Sequence, residues 1–285
     1  MTTPSQYYQF ELNGWSFGGI GNGVQVLSID GLEDLPTLRV QDETRGYQDG
    51  MLTGRDFLNA RVIVMELQIM SDANNPFTTY LAQAKANLIS QTSGVSTLKL
   101  YLPGRTVQVV YGRIRRRNIR IDPQYTYGKA TAHIEFFCPD PRIYNDTQSS
   151  LVLNPITGRL RSYNRTYNLT YTATSTGSYS GTATNNGNYE TWPTFTLTGT
   201  INAPVITNAT TGEKLSFPTV SLTGSDTLIV SSDLRTITLN GVAARNLLST
   251  DSTWFSFEPG VATTVNFSVA SGTGLCTINY RDAYI

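Results

Sequence analysis

An arginine run contains the densest group of side chains that could bind or pair with another molecule. Arg113, Arg115, Arg116, Arg117 and Arg120 lie within one short segment. Guanidinium groups pair bidentately with carboxylates and neutralise phosphates. Three interpretations stay open from the residues alone: a nucleic-acid contact, a charged interface between copies of the chain, and a solvated strand face.

Catalytic and metal sites find little support in the sequence. His133 is the only histidine and shares a strand face with Glu135, but no nucleophile motif accompanies the pair. Cys138 and Cys276 are too few for a four-thiolate zinc site, and their apolar surroundings predict buried free thiols. The acidic pairs match no glycosidase or EF-hand motif. We therefore predict no enzyme, no catalytic residue, no metal and no cofactor.

Two aromatic residues form a second candidate contact. Tyr189 and Trp192 follow the turn Asn186-Gly187, and aromatic rings on a β-sandwich can stack on sugars or pack against a partner. Core packing of the tryptophan is the competing interpretation.

The overall charge excludes several classes of protein. The 285 residues contain 21 Lys+Arg and 21 Asp+Glu, and charged residues make up only 15%. A net charge of zero gives no drive toward nucleic acid or anionic membranes. The first twenty residues lack Lys, Arg and an apolar run, so we predict neither a signal peptide nor membrane insertion.

The elements that must position these residues change in character near residue 145. Residues 1–145 predict an α+β domain, with strands at Tyr8–Leu12, Asn59–Met70 and 130–138. The helix is predicted at Pro76–Ser90, with Asn75 as its N-cap. Ile114 and Ile119 have opposite parity, which predicts a β-bulge or hairpin in the arginine run.

Residues 146–285 predict an all-β domain. Short Thr- and Val-rich strands such as Thr194–Thr198 and Val205–Asn208 alternate with Asn-Gly turns, as in a β-sandwich. The tract Thr166–Asn188 is low in complexity and predicts a strand pair or an exposed arm. The fold class is therefore mainly β with one helix, in two domains, 1–145 and 146–285.

Several weak motifs, taken in order along the chain, resemble the distal tail proteins of long-tailed bacteriophages. The resemblance rests on Tyr8–Asn13, Gln48-Asp49-Gly50 with Gly54, the helix at Pro76–Ser90, the run 132–141 that ends in Cys138-Pro139-Asp140-Pro141, Asn186-Gly187 with Trp192-Pro193, the hairpin 228–241 and Trp254–Phe267. The segment around Gln48-Asp49-Gly50 is similar to the family's belt.

The resemblance implies a structural role in a virion. It implies an N-terminal, β-sandwich-like domain that forms a hexameric ring and a galectin-like C-terminal domain. The expected partners are other copies of the chain, the tail tube protein, the tail-tip protein and receptor-binding proteins or fibres. The expected location is the distal end of the tail, with DNA passing through the ring without sequence readout.

A hypothesis about the interface combines the ring with the charges. A closed ring needs two different patches that meet. We expect Arg113, Arg115, Arg116, Arg117 and Arg120 to face acidic residues of a neighbouring copy, namely Asp30, Glu33, Asp34, Asp42 and Glu43. The alternative function is a carbohydrate-binding module that adheres to the host wall through Tyr189 and Trp192 of the C-terminal sandwich.

Overall fold

The computed structural model describes residues 3–73, 75–91, 94–155 and 179–285. The chain forms two compact units, Met1–Asp146 with Ile285, and Thr147–Tyr284. Both are built mainly from β-strands, which confirms the predicted fold class at that level. None of the helices in these residues is long and apolar enough to span a membrane.

The first unit contains twelve strands and two helices in the part that the structure describes. They are β1 (Gln9–Leu12), β2 (Trp15–Gly18), β3 (Val24–Asp30), β4 (Leu38–Arg39), β5 (Glu43–Thr44), β6 (Met51–Leu52), β7 (Phe57–Leu58), β8 (Arg61–Met70), α1 (Phe77–Asn87), β9 (Ser96–Tyr101), β10 (Gln108–Ile119), α2 (Pro123–Thr126), β11 (Lys129–Cys138) and β12 (Ile143–Asn145).

One long strand, β10, belongs to two antiparallel sheets. Its first part, Gln108–Gly112, pairs with β9, and that sheet continues to β1 and β2. Its second part, Arg113–Ile119, pairs with β11, and this second sheet continues to β8 and β3. The second sheet therefore has four strands in the order β10-β11-β8-β3. We call this the four-stranded edge sheet.

The edge sheet has one buried and one open face because its two central strands alternate strictly. On β8 the buried positions include Ile63, Met65 and Leu67, and on β11 every second residue from Ala130 to Cys138 is buried. Period-two alternation buries one face of a strand and exposes the other. His133 and Glu135 consequently lie on the open face, as predicted.

Helix α1 packs its predicted apolar stripe into the core, but it begins one residue later than predicted. Tyr80, Leu81, Ala84 and Leu88 are buried. Pro76, with φ −72° and ψ 157°, is the N-cap, whereas Asn75 donates its side-chain amide to the Tyr80 hydroxyl. Proline has no N–H of its own to leave unpaired at this position, and its carbonyl accepts the N–H groups of Thr79 and Tyr80. The prediction of Asn75 as N-cap was wrong.

An arm of residues 37–58 extends between β3 and β8 as two short antiparallel ladders, β4 with β7 and β5 with β6. Its strands are exposed or half-buried throughout. The two sides of the arm approach closely at Gln41 and Gly54. A Cβ on Gly54 would lie 1.9 Å from the Gln41 carbonyl oxygen, so only glycine fits at this position. The arm contains the segment that resembles the family's belt.

The second unit consists of strands and one short 3₁₀ helix in its described residues. They are β13 (Ser149–Leu153), β14 (Ser180–Thr184), β15 (Thr194–Thr198), β16 (Ile201–Asn202), β17 (Val205–Asn208), β18 (Lys214–Ser216), β19 (Ser221–Leu222), β20 (Thr227–Ser231), β21 (Thr236–Leu239), β22 (Val242–Ala243), the 3₁₀ helix Arg245–Leu247, β23 (Ala262–Ser268), β24 (Ser271–Gly272), β25 (Leu275–Tyr280) and β26 (Ala283–Tyr284).

Two antiparallel sheets supply one core in this unit. A six-stranded sheet has the order β13-β25-β15-β20-β21-β22, and a four-stranded sheet has the order β14-β23-β17-β18. Buried Phe195 and Ile278 from the first sheet join Ile206 and Phe267 from the second. The predicted strands Thr194–Thr198 and Val205–Asn208 are present as predicted. Of the tract 166–188, residues 166–178 lie outside the described residues, and Ser180–Thr184 form β14.

None of the strand residues that point to the outer face of the six-stranded sheet is charged. Cross-strand pairing aligns hydroxyl, amide and small apolar residues on this face while their sequence neighbours are buried. The face consists of Ser150, Val152, Thr194, Thr196, Thr198, Thr227, Ile229, Ser231, Thr236, Thr238, Ala243, Leu275, Thr277 and Asn279. We call it the neutral face.

Candidate inter-subunit interface

The edge sheet ends on both sides in strands that pair with nothing further in the described part of the chain. One edge is β3, and the other is the second part of β10, Arg113–Ile119. Unpaired N–H and C=O groups along such edges can accept another strand. The two edges span seven residues each, so they are matched in length.

The direction of the strands allows these two edges to meet in neighbouring copies. Each adjacent pair in the four-stranded edge sheet is antiparallel, so β3 and β10 run in opposite directions. Copies related by rotation about an axis along the strands would therefore bring β10 of one copy antiparallel to β3 of the next. This is a heterologous contact, the type that generates rings.

Both edges contain a β-bulge. The pairing of β10 with β11 shifts between Ile114 and Arg116, which leaves Arg115 as the extra residue. The pairing of β3 with β8 shifts between Val26 and Ser28, which leaves Leu27 extra. The bulge that residue parity predicted in the arginine run is thus confirmed. Bulges increase local twist and bend a strand, as a sheet that curves toward closure requires.

The two edges have opposite charge at the same level of the sheet. Asp30 on β3 pairs with Val64, Val64 with Glu135, and Glu135 with Arg116 on β10. This row brings a carboxylate to one edge and a guanidinium to the other. The outer face near Arg116 forms a shallow groove with Val64, Asn118, His133 and Glu135.

The structure distributes the other predicted arginines over several intrachain roles. Arg117 donates from Nη1 to the carbonyls of Lys85 at 2.7 Å and Leu88 at 3.0 Å, where it caps the end of α1. The Arg115 guanidinium lies 3.4 Å from the centroid of the Phe137 ring. A cation at a helix C-terminus and a cation over an aromatic face are both favourable.

The remaining two arginines lie at the ends of the run. The Nε atom of Arg120 is 3.9 Å from the Asp122 carboxylate, and that arginine is largely exposed. Arg113 is half-buried, opposite Phe137 in the ladder. The structure therefore brings the five arginines onto or beside one strand but leaves Arg116 as the one that best fits a contact with another copy.

The predicted acidic residues are spread between the loop after β3 and the arm. Glu33 already forms an ion pair with Arg105 at 2.6 Å in the same copy. The Asp42 carboxylate accepts the Gly54 N–H at 2.9 Å within the arm. Glu43 lies exposed in β5, and Asp34 is exposed in the loop. Their pairing with arginines of another copy stays a prediction.

The most important polar residue near the interface, Arg61, is absent from the predicted site. It is 2% exposed at the start of β8. Its Nη1 donates to the carbonyls of Gly31 at 2.9 Å, Leu32 at 2.6 Å and Asp34 at 2.8 Å. Its Nε donates to the Pro141 carbonyl at 2.8 Å. Burial lowers the pKa of the guanidinium below its ordinary value.

Arg61 thereby fastens the segment that leads into the arm to the end of β11. A signal for it exists in the sequence: Arg61 has the same parity as Ile63, Met65 and Leu67, so the alternation places a charged residue on the buried face. A buried arginine with this parity needs carbonyl or carboxylate partners, and these could have been sought in the flanking loops.

The lone histidine lies on the open face of the edge sheet. Its Nε2 is 3.8 Å from Oε1 of Glu66, and the imidazole is about half exposed. Ser28 lies opposite Glu66 in the ladder, but no hydrogen bond joins it to Glu66 or His133 in the part of the chain that the structure describes. Residues 3–73, 75–91, 94–155 and 179–285 also contain no group of three or more His, Cys, Asp or Glu placed to hold a metal ion.

The two cysteines are buried free thiols, as predicted. Burial raises the pKa of Cys138 to about 12, and it also raises the pKa of Cys276. The thiolate is the nucleophilic form of cysteine, and burial disfavours it at both positions.

The two aromatic residues predicted as a glycan or partner contact lie just before β15. Tyr189 and Trp192 are both half-buried. The backbone around them is fixed by Asn185, which is buried and donates to the carbonyls of Tyr189 at 2.7 Å and Phe257 at 3.1 Å. A sugar or partner contact through these two rings stays a prediction.

Comparison with known proteins yields a match for the second unit. Residues 186–284 match the family described as siphovirus-type tail component, C-terminal domain. No curated protein sequence matches the chain.

The fold of the whole chain is shared with solved phage proteins. The crystal structure of the SPP1 Dit protein, described as a paradigm of the hub adsorption apparatus in phages that infect Gram-positive hosts, superposes with a TM-score of 0.65 at 13% identity. The superposition covers 97% of this chain and 99% of the SPP1 chain. A chain of the phage P2 baseplate, in its activated conformation with Ca, superposes with a TM-score of 0.53 at 11% identity. It covers 96% of this chain and 97% of that one.

These matches confirm the resemblance inferred from the motifs. Residues 186–284 therefore match a siphovirus-type tail component C-terminal domain, and the whole chain shares the fold of the SPP1 Dit protein.

Proposed function

We propose that this chain is a non-enzymatic hub at the distal end of the phage tail, where six copies form a ring. In this role the ring joins the tail tube protein to the tail-tip protein, and the second unit presents the receptor-binding proteins or fibres. The number six, the galectin-like character of the second unit and these partners follow from the resemblance, as does the passage of DNA through the ring.

The observation that best supports the ring is the pair of open edges on the edge sheet. A four-stranded sheet with two unpaired, equally long and oppositely directed edges exposes backbone groups that natural proteins normally protect. Pairing β10 of each copy with β3 of the next satisfies both edges at once. Because the strand directions alternate, the sheet can continue around the ring without a mismatch.

The arm supplies a second contact surface. It exposes apolar side chains at Leu38, Val40, Tyr47, Met51 and Leu52. Exposed apolar residues concentrated on one segment mark an interaction surface. We infer that the arm lies on a neighbouring copy, which would bury these side chains on assembly.

The ring can be tested with a charge exchange between the two edges. Light scattering and negative-stain images of the wild-type protein, alone and mixed with tail partners, are expected to show a ring with a central pore. Arg116→Glu should weaken the ring, because Glu would meet Asp30 or its neighbours. The double variant Arg116→Glu with Asp30→Arg should restore assembly.

Arg116 is a better probe than its neighbours in the run. Reversing Arg117 would also remove the cap of α1, and reversing Arg115 would remove the contact with Phe137, so a loss of assembly would have two explanations. A ring that forms equally well with Arg116→Glu would contradict the pairing of opposite charges. A wild-type protein that forms no ring with its tail partners would contradict the hub itself.

A further inference from the structure

A second groove lies directly beside the open edge of β10. Its walls are Ile114, Arg115 and Arg117 on the strand and Leu88, Ile89 and Ser90 after α1. Ile114 pairs with buried Phe136 and Arg117 with buried Ile134, so both residues lie on the core side of the sheet. The groove is therefore continuous with the core of the first unit, and it is uncovered beside β10, the last strand of the edge sheet.

The walls of this groove are fixed within one copy, but part of its apolar surface is exposed. Arg117 bridges β10 to the end of α1 through its two hydrogen bonds to backbone carbonyls. Leu88 is buried, whereas the adjacent Ile89 is 56% exposed. An apolar side chain held open beside an unpaired strand edge can be buried by a strand that adds to that edge.

The pleat determines which side chains of an added strand would enter the groove. Side chains of a strand alternate between the two faces of its sheet, so every second residue of the added strand would point to the core side. On β3 the core-side residues at the open edge include Val26 and Ile29, which pair with buried Leu67 and Met65. Both are half-buried in the single copy.

The levels of the two edges also correspond. Ile29 lies in one cross-strand row with Met65, Ile134 and Arg117, and Asp30 lies in the next row with Arg116. Joining the edges at this register brings Ile29 to the groove and Asp30 to the arginines. At this register the apolar side chain would meet the apolar groove, and the carboxylate would meet guanidinium groups.

We propose that the groove between the end of α1 and β10 is the docking site for a second copy of this chain, which inserts the core-side residues Val26 and Ile29 of its β3. The proposal rests on the proposed ring and specifies its contact. It assigns α1 a role beyond packing, because the turn after this helix forms the wall that accepts the neighbour.

A disulfide trap tests the contact directly. The double variant Ile29→Cys with Ile89→Cys should form disulfides between copies under mild oxidation of the assembled protein, giving covalent oligomers on non-reducing gels. Each single variant should give none. The native thiols do not interfere because Cys138 and Cys276 are buried. A matched control pairs Ile29→Cys with Val242→Cys, which is 70% exposed in the second unit, and it should give no ladder.

A charge placed in the groove provides an independent measurement. Ile89→Asp should weaken self-association at least about tenfold, because a carboxylate would be buried against Val26 and Ile29 without a partner. Circular dichroism and thermal unfolding of the dilute variant should match the wild type, since Ile89 is exposed in one copy. Val242→Asp is the control for an added surface charge.

The outcomes separate the groove from the ring. A wild-type ring that persists in Ile89→Asp, with no cross-link between positions 29 and 89, would overturn the groove assignment and leave the hub intact. A wild-type protein that forms no ring with its tail partners would overturn both.

Discussion

Arg61 shows how a single buried side chain can set the geometry of an interface that it does not enter. Its four hydrogen bonds fasten Gly31, Leu32, Asp34 and Pro141 to the start of β8. The arm leaves the unit immediately after this fastened segment, and β3 ends immediately before it. The direction of the arm and the end of one open edge therefore depend on the same guanidinium.

We expect Arg61→Met to lower the free energy of unfolding of the first unit by about 3 kcal/mol, because buried carbonyls lose their donors. Chemical denaturation measures this change, and limited proteolysis should cut residues 31–60 faster than in the wild type. Arg45→Met, an exposed substitution in the arm, is the matched control. Equal stability of Arg61→Met and the wild type would show that the hydrogen bonds contribute nothing net.

At the scale of elements, alternation in the sequence predicts much of the edge sheet. The strand that ends at Cys138, the open position of His133 and the bulge in the arginine run all follow from period-two parity. The strands that pair with β10 cannot be predicted in this way, because a continuous strand gives no local sign that one half pairs with β9 and the other half with β11. Pairing between distant segments depends on the whole fold, and so the open edges appear only in the structure.

The arm illustrates the same limit. Its two short ladders are fixed by pairings between distant residues of the arm, such as Leu38 with Leu58 and Thr44 with Met51, which local alternation does not reveal. Because its strands are exposed, the arm contributes little to the stability of one copy. Its apolar residues are explained by burial in an assembly rather than by the core of the first unit.

Shortening the arm should therefore separate folding from assembly. Replacement of residues 41–54 by a short Gly-Ser turn should change the free energy of unfolding by less than about 1 kcal/mol, as for surface changes, while self-association measured by analytical ultracentrifugation falls. A turn of the same composition inserted at the exposed Gly224 loop of the second unit is the control. Loss of folding in the shortened chain would show that the arm belongs to the core.

On the scale of the whole molecule, a net charge of zero conceals an uneven arrangement. The arginines lie along one edge of the edge sheet in the first unit, and Asp30 lies on the opposite edge. The strand residues of the neutral face in the second unit include no charged residue. The two edges thus differ in charge although the totals of Lys+Arg and Asp+Glu are equal. Composition predicts the balance, but only the pairing of strands shows where each sign lies.

This arrangement predicts an assembly that depends on salt. Raising the ionic strength from roughly 0.05 M to roughly 0.5 M should slow ring formation, because it screens the attraction between exposed edges. Stopped-flow light scattering measures the rate. The neutral pair Arg116→Gln with Asp30→Asn should assemble more slowly at low salt and lose most of the salt dependence. A wild-type rate that is constant across this range would exclude electrostatic steering.

The neutral face has a different consequence, which concerns the conditions under which it could make a contact. Serine, threonine, asparagine and aliphatic side chains neither gain nor lose a proton in acidic or alkaline water. The side chains of this face therefore keep the same protonation state when the pH changes. A contact made on this face would involve hydroxyl, amide and aliphatic groups, and its strength should depend less on salt than a contact between the charged edges of the first unit.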